Sequence, residues 1–181
     1  HDLRAPIASV LGLTNIARMD ITDARALEII GMIEGRVKKL DTVIGDILSL
    51  SRGKKAELKL ERISLTRLVD EVVTDVKFAQ DAPAIRLIFD REPEFFFVSD
   101  FAMMKTVVGN LFSNGVKYHR INQADPFIKV TASRSSSVVT LRIEDNGQGI
   151  RPENQARIFD MFYRASSQSE GTGLGLFIVR E

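Results

Sequence analysis

The sequence predicts an all-α helical hairpin followed by an α+β two-layer domain, and three observations predict this order. Residues 1–51 carry two apolar runs at alternating spacings of three and four, which is typical of helices that pack along a seam. From Leu58 onward, short alternating strand-like runs are interspersed with helical ones. A polar, lysine-rich stretch with one glycine separates them. The predicted division is a hairpin at 1–51, a linker at 52–57 and a second domain at 58–181.

Composition limits the classes of function that the chain can have. It has 181 residues, 44% of them hydrophobic and 27% charged, as in an ordinary globular protein. A net charge of +1 without a basic stripe argues against nucleic acid as a partner. The lack of cysteine excludes disulfides, thiolate metal sites and cysteine nucleophiles. No uncharged apolar run approaches the roughly 18 residues of a membrane helix, so membrane attachment is expected only through segments outside this chain. Because the chain opens on histidine, we expect it to be a fragment.

Two apolar seams predict the hairpin. The seam residues are Leu3, Ile7, Val10, Thr14 and Ala17 in the first helix, and Ile30, Ile33, Val37, Leu40, Ile44 and Ile47 in the second. Asp20 to Asp23 supply turn and N-cap residues between them. Two such helices cannot enclose a core, so we predict a homodimeric four-helix bundle. The alternative is that the hairpin packs on the following domain.

A row of small side chains lies on the face of the first predicted helix that is opposite its apolar seam. By helical count His1 lies opposite Leu3, and Ala5, Ala8 and Gly12 follow it along nearly the same line. Such a row could admit a helix of another protein. Pro6 leaves two interpretations open: either the helix begins upstream and bends beside His1, or Pro6 is its first residue and His1 lies in a tail.

The second domain is predicted element by element. Strand-like alternation covers 58–63, 85–90 and 95–98, and helical periodicity covers 66–79. A helix capped by Ser99 or Asp100 runs through Phe112, and the strands 127–132 and 138–143 form a hairpin around 135–137. These elements predict an antiparallel or mixed sheet with helices on one face.

The first polar cluster lies on the long helix. Asn110, Asn114 and Lys117 recur at spacings of four and three and share one face, with Tyr118 beside them. Amide oxygens coordinate hard cations and lysine binds phosphate oxygens. Solvated surface asparagine is the alternative interpretation, although two on one face of an apolar helix are unusual.

Two glycine-containing clusters follow. EDNGQGI comes directly after a strand, where Asp145 could accept a hydrogen bond from an exocyclic amine, although an ordinary Asn-Gly turn is the alternative. EGTGLGLFIV places Gly171, Gly173 and Gly175 at alternate positions, which uncovers backbone N–H groups suited to a polyphosphate. The polar segment 164–170 before it is typical of a mobile lid, and a plain glycine-rich turn is the alternative.

The motifs HDLRAP, NLFSNGVKY, DNGQGI, IFDMFYR and GTGLGLFIV stand in an order and spacing that resembles the catalytic core of two-component sensor histidine kinases. The resemblance covers nearly the whole chain. It implies a HisKA-type dimerisation and phosphotransfer hairpin, followed by an ATP-binding two-layer sandwich of the Bergerat (GHKL) type shared with gyrase and heat-shock chaperone ATPases. It also implies ATP and Mg2+, a homodimer, a response regulator as partner and a cytoplasmic location.

The resemblance also implies roles for individual residues. His1 is similar to the phosphoacceptor and Asp2 to its acidic neighbour. Asn114 resembles the magnesium ligand, supported by Asn110, and Asp145 the carboxylate that reads the adenine amino group. Phe159 and Phe162 would anchor the lid. The implied nucleotide-binding residues are Asn110, Asn114, Lys117, Tyr118, Asp145, Gly147, Gly149, Ile150, Phe162, Arg164, Gly171, Thr172, Gly173, Leu174 and Gly175.

Two departures from the family pattern modify these expectations. Ala5 stands where strongly dephosphorylating members carry Thr or Asn, so we expect weak phosphatase activity. The chain stops at Glu181, inside the helix after the glycines, so we expect the final helix and strands to be missing and nucleotide binding to be weakened. A GHKL ATPase, a serine kinase or a catalytically weak dimeric scaffold are the alternative functions.

Overall fold

The computed structural model describes residues 4–55, 57–79, 85–91, 93–120, 122–165 and 171–181. The chain forms two compact units. The first comprises His1–Lys55, Asp160–Val179 and Glu181, and the second comprises Ala56–Phe159 and Arg180. The elements are α1 (Arg4–Asp20), α2 (Ala24–Lys55), β1 (Leu60–Ser64), α3 (Leu65–Ala79), β2 (Arg86–Phe89), β3 (Phe96–Asp100), α4 (Phe101–Lys117), β4 (Phe127–Ser135), β5 (Val138–Asp145), α5 (Pro152–Gln155) and α6 (Gly175–Arg180). The domain bounds 1–51, 52–57 and 58–181 stay a prediction.

The first unit contains the predicted pair of helices. Asp23 ends the three-residue connection between them, and its Oδ1 accepts a hydrogen bond from the Ala26 N–H at 2.8 Å, as an N-cap does. Arg18, near the end of α1, donates to Glu34 of α2 at 3.1 Å, so the chain reverses direction. The two helices and the short turn between them are present, and the predicted hairpin bundle stays a prediction.

Two details of the hairpin differ from the sequence-based expectation. α2 continues through Lys55, so residues 52–55 of the predicted linker are helical, because one glycine costs a long helix only about 1 kcal/mol. Arg4 and Ala5 precede Pro6 in α1, so the interpretation in which Pro6 is the first helical residue is wrong. A proline in the first turn lacks an N–H that would be unpaired there in any case.

The predicted seam is only partly buried in the single chain. Thr14 and Ile30 are buried, and the Thr14 hydroxyl donates to the carbonyl of Leu11 within its own helix at 2.9 Å. Leu40 and Ile47, also predicted as seam residues, are exposed. Two helices cover only part of each other's apolar surface, so these side chains remain accessible to a further layer.

The described residues of the second unit form an α+β arrangement with two hydrogen-bonded sheets, where one sheet was predicted. β1 pairs antiparallel with β3, whereas β4 pairs in parallel with β2 and antiparallel with β5. Ile63 and Phe97 lie opposite each other on the buried face of the first sheet. The core consists of Ile63, Leu65, Leu68, Val69, Val72, Phe97, Val108, Phe112, Val116, Ile128 and Val130.

The start of α4 is fixed by Asp100, one of the two predicted caps. Its Oδ1 accepts the Met103 N–H and its Oδ2 accepts the Lys59 N–H, each at 3.0 Å. These two backbone hydrogen bonds lower the pKa of the Asp100 carboxyl. Asp100 therefore ties the N-terminus of α4 to the chain just before β1.

The β4–β5 hairpin is longer than predicted. Its strands extend to Ser135 and Asp145, and the turn contains Ser136 at a φ of 52°. Asp145 pairs with Ile128 at the open end of the hairpin. The longer β5 therefore includes Glu144 and Asp145, the first two residues of the motif EDNGQGI.

Candidate functional site

Three polar residues of α4 lie toward its C-terminal end. The Asn110 side chain donates from Nδ2 to the Thr106 carbonyl at 3.0 Å, a bond that does not use its amide oxygen. Asn114 is half-buried one turn later. Lys117 holds its ammonium 4.9 Å from the centre of the Tyr118 ring, a cation–π distance. The helix thus presents two amides, an ammonium and an aromatic ring within nine residues.

The turn after β5 is docked against the end of this helix. Asp145 Oδ1 accepts the Gly147 N–H at 2.9 Å, and the Gln148 N–H donates to the Tyr118 carbonyl at 3.0 Å. A Cβ on Gly147 would lie 2.5 Å from that carbonyl oxygen and 2.8 Å from Asp145 Oδ1. Only a residue without a side chain allows this approach. Asp145 itself is exposed.

Gly115, a residue of α4, allows this helix to pack closely against the end of β5. A Cβ at this position would meet the Ile128 side chain at 2.9 Å and the Asp145 Cβ at 3.6 Å. α4 therefore lies close against both strands of the hairpin at the point where β5 ends. Further along the turn, Gly149 has a φ of 72° and Ile150 is exposed.

A layer of polar contacts behind the turn was not predicted from the sequence. Arg120 donates to the Gly147 carbonyl at 3.1 Å, and Gln123 donates to the Asn146 carbonyl at 3.1 Å. Asn146 accepts the Phe127 N–H and donates to the Asp125 carbonyl. These bonds hold the turn against the loop after α4. The only signal for them in the sequence was Asn146 within the motif DNGQGI.

The glycine-rich segment belongs to the first unit, and two of its glycines have positive φ. Gly171 has a φ of 121° and Gly173 of 74°, both in the region that favours glycine. A Cβ on Gly173 would lie 2.7 Å from the carbonyl carbon of Phe162, whose own φ is 62°. The backbone at Phe162 therefore lies directly against Gly173. Leu174, the next residue, is fully buried.

Thr172 ties this segment to the hairpin. Its hydroxyl donates to Asp46 Oδ2 of α2 at 2.7 Å and accepts the Leu174 N–H at 3.1 Å. Burial raises the pKa of the Asp46 carboxyl, and the hydrogen bond from Thr172 opposes that rise. Sequence reasoning missed Asp46, because a single acidic residue on a charged helix carries no local signal.

The predicted site residues fall into three groups. The second unit holds Asn110, Asn114, Lys117, Tyr118, Asp145, Gly147, Gly149 and Ile150, and the first holds Phe162, Arg164, Gly171, Thr172, Gly173, Leu174 and Gly175. His1 and Asp2 lie outside the described residues, as does 166–170 of the predicted lid. The roles assigned to all of these residues stay predictions.

The predicted metal ligands are the amide oxygens of Asn110 and Asn114. Within the described ranges, no group of three His, Asp or Glu side chains is arranged to hold a metal ion. In the site predicted from the sequence, a magnesium ion would be held by the amide oxygens of Asn110 and Asn114 together with oxygens of a bound phosphate. Such ligand sets suit Mg2+, which usually binds through few protein groups. In the part of the chain that the structure describes, no helix is both long and apolar enough to cross a membrane.

Part of the chain matches a known protein family. Residues 99–181, which include α4, the turn after β5 and the glycine-rich segment, match the family described as histidine kinase-, DNA gyrase B- and HSP90-like ATPase. The match assigns an ATPase-type domain to this region.

Similarity to individual proteins extends over the whole chain. The sensor histidine kinase TrcS of Mycobacterium tuberculosis is 32% identical over 99% of this chain and 36% of that protein, and the sensor protein kinase PmrB of Pseudomonas aeruginosa is 29% identical over 99% and 38%. The chain thus spans less than two fifths of the length of these curated relatives.

Solved structures share the fold. Full-length ShkA in complex with AMPPNP has a TM-score of 0.74 at 24% identity, over 99% of this chain and 38% of that one. The Acinetobacter baumannii histidine kinase AdeS has a TM-score of 0.64 at 23% identity, over 99% and 83%. The matched ATPase domain and the sensor histidine kinase relatives that align along nearly the entire chain support a histidine kinase catalytic core.

Proposed function

We propose that this chain transfers the γ-phosphoryl group of ATP to His1 and then to an aspartate of a separate response regulator. The observation that carries the proposal is the docking of the turn after β5 on the end of α4. Gly147 lies where any side chain would strike the Tyr118 carbonyl, and Asp145 stays exposed beside it. The matched ATPase family supports a nucleotide as the ligand.

Residues of the second unit have roles that follow from their chemistry. The exposed Asp145 carboxylate is an acceptor for the adenine amino group, while the Tyr118 ring offers an apolar surface to the base. Lys117 supplies positive charge for phosphate oxygens. Asn114, with Asn110 beside it, supplies amide oxygens for Mg2+. When bound, Mg2+ would offset negative charge on the transferring phosphoryl group.

The glycine-rich segment has a different role. Gly171 and Gly173 hold the backbone at positive φ and carry no side chains, a backbone arrangement that suits the close approach of an anion. Thr172 lies between them and adds a hydroxyl. We assign the binding of nucleotide phosphates to this segment.

The phosphoryl acceptor is assigned to His1. A histidine ring is largely neutral near pH 7, so one ring nitrogen has a free lone pair. A bond forms between that nitrogen and the γ-phosphorus, the bond to the bridging oxygen breaks, and ADP leaves. Asp2 accepts a hydrogen bond from the other ring nitrogen and stabilises the imidazolium. Holding the two reactants in line provides most of the remaining rate enhancement.

The hairpin supports the proposal of a homodimeric four-helix bundle. Its exposed apolar side chains lie on both helices and are too numerous for a surface in water. They include Leu13, Ile16, Met19, Ile29, Met32, Ile33, Leu40 and Ile47. A second hairpin would bury these side chains. A mass of one chain in light scattering at micromolar concentration would contradict this proposal.

The direct test is incubation of the chain with Mg-ATP labelled at the γ-phosphate. We expect label on the protein that is lost in acid and kept in alkali, as a phosphoramidate is, and that maps to His1 by mass spectrometry. Acid-stable label would instead indicate a serine kinase. Phosphate release without protein label would indicate an ATPase, and neither label nor release would indicate a scaffold.

Gly12 provides a test of the response regulator surface. It is exposed, and a Cβ there would meet nothing within 4 Å, so leucine fits the chain itself. We expect Gly12→Leu to slow phosphoryl transfer to the regulator about tenfold while self-phosphorylation stays within twofold, because the added side chain obstructs only an incoming helix. Gly35→Leu, at an equally open position on α2, is the matched control. Equal slowing of both steps by Gly12→Leu would remove this assignment.

A further inference from the structure

The contact between Asp46 and Thr172 joins two regions that the proposed chemistry does not connect. Asp46 lies on α2, and Thr172 lies 126 residues later between Gly171 and Gly173. Their oxygens are 2.7 Å apart, the usual distance for a hydroxyl that donates a hydrogen bond to a carboxylate. Both residues belong to the same compact unit. The glycine-rich segment is thus held by a charged group of the hairpin.

The environment of Asp46 makes its charge costly. The residue is only partly exposed, and burial raises the pKa of its carboxyl. The hydrogen bond from Thr172 lowers that pKa in part, so the threonine compensates for some of the lost hydration. A carboxylate in this position favours a neutral or donating neighbour and disfavours a second anion nearby.

The same contact engages donors that an anion would need. The Thr172 hydroxyl gives its hydrogen to Asp46, and its oxygen accepts the Leu174 N–H at 3.1 Å. One hydroxyl and one backbone N–H of the segment are therefore directed to the protein's own side chains. A phosphate arriving here would have to displace these bonds and would meet the negative charge of Asp46.

We propose that Asp46 is a determinant of nucleotide affinity, which holds Thr172 and competes with nucleotide phosphates for the glycine-rich segment. This inference rests on the proposed function, because it assigns regulation to the same phosphate-binding segment. Competition at one segment is reciprocal: phosphate binding weakens the Asp46–Thr172 contact, and any movement of α2 that withdraws Asp46 strengthens phosphate binding. The position of α2 would thereby affect how tightly the glycine-rich segment binds nucleotide phosphates.

The decisive variant is Asp46→Asn in the full chain. Asparagine keeps the size of the side chain and an oxygen that accepts from Thr172, but it removes the negative charge. We expect the Kd for Mg-AMPPNP, measured by calorimetry, to fall about five- to tenfold, within the usual range of coupling between sites. The KM for ATP in self-phosphorylation should fall by a similar factor. The kcat should stay within twofold, because the substitution removes competition for nucleotide binding and does not alter the chemical step.

Glu28→Gln is the matched control. Glu28 is an exposed acid on the same helix, 18 residues earlier and so about 27 Å away along its axis. Glu28→Gln removes one negative charge from α2 without changing any contact of Thr172. Its Kd for Mg-AMPPNP should therefore equal that of the unaltered chain. A fall in Kd for Glu28→Gln as large as that for Asp46→Asn would show a general charge effect and would overturn the inference.

A second measurement separates the contact from the charge. In Asp46→Ala without nucleotide, we expect faster hydrogen exchange in the peptide that contains Leu174 than in the unaltered chain, because the Thr172 hydroxyl loses its acceptor. Unchanged exchange there, or a Kd for Asp46→Asn within twofold of the unaltered chain, overturns the inference alone. Failure of the unaltered chain and of Asp46→Asn alike to bind Mg-AMPPNP overturns the proposed function, and this inference with it.

Discussion

His1→Gln is expected to reduce acid-labile label from Mg-ATP to background. Glutamine retains a polar side chain of similar length, but its amide nitrogen has no lone pair able to attack phosphorus. The effect should therefore be a loss of the whole first step, while the affinity for Mg-AMPPNP, measured by calorimetry, stays unchanged because His1 has no assigned part in nucleotide binding. Transfer to a response regulator would be lost with it.

The chain offers a matched control for this variant. It has two histidines, and the other, His119, places Nδ1 2.7 Å from the carbonyl of Val116. His119→Gln should retain acid-labile label at His1, since the hydrogen bond to Val116 can be replaced by the glutamine amide. Label that persists in His1→Gln, whether acid-labile or acid-stable, would place the acceptor elsewhere and contradict the proposed function.

Gly147→Ala is the second large effect that we expect. The added Cβ would lie 2.5 Å from the Tyr118 carbonyl oxygen and 3.2 Å from its carbon, and both belong to the backbone. Since the obstacle cannot rotate away, the turn must separate from the end of α4. Overpacking of this kind costs about 1 to 3 kcal/mol, which corresponds to roughly fivefold to 150-fold in affinity if the whole cost falls on nucleotide binding.

The expected readouts are a weaker Kd for Mg-AMPPNP and a lower melting temperature of the chain. The Gln148–Tyr118 and Gly147–Asp145 hydrogen bonds would be lost together. Gly109→Ala is the control, because Gly109 lies within α4 and a Cβ there meets nothing within 4 Å. Alanine there should stabilise the chain by about 0.5 to 1 kcal/mol. Nucleotide affinity of Gly147→Ala equal to that of Gly109→Ala would refute the role given to this turn.

Much of the local structure was predictable from the sequence. The three- and four-residue spacings predicted α1 and α2, and the cap at Asp100 was one of two predicted residues. The helix predicted at 66–79 is confirmed as α3, beginning one residue earlier. These features depend on neighbours within a few positions along the chain, which is why periodicity and capping residues reveal them.

The sequence indicated which residues belong to the candidate site, but it did not indicate which residues they contact. The motif around Asp145 indicated an open turn, whereas the reason for Gly147, the Tyr118 carbonyl 29 positions earlier, became visible only in the fold. The polar layer formed by Arg120 and Gln123 likewise had no signal of its own. Such contacts join distant positions, and any one of many polar residues could satisfy the same hydrogen bond.

The sequence by itself determined most of the helices and strands, the turn between α1 and α2, and the cap at Asp100, but not the ends of α2, β4 and β5. Tertiary structure alone decided that the strands form two hydrogen-bonded sheets and that Thr172 meets Asp46. The physical reason is the range of the forces involved. Helix caps and apolar periodicity act over a few residues, whereas strand pairing and a side-chain hydrogen bond across 126 positions depend on how the whole chain packs.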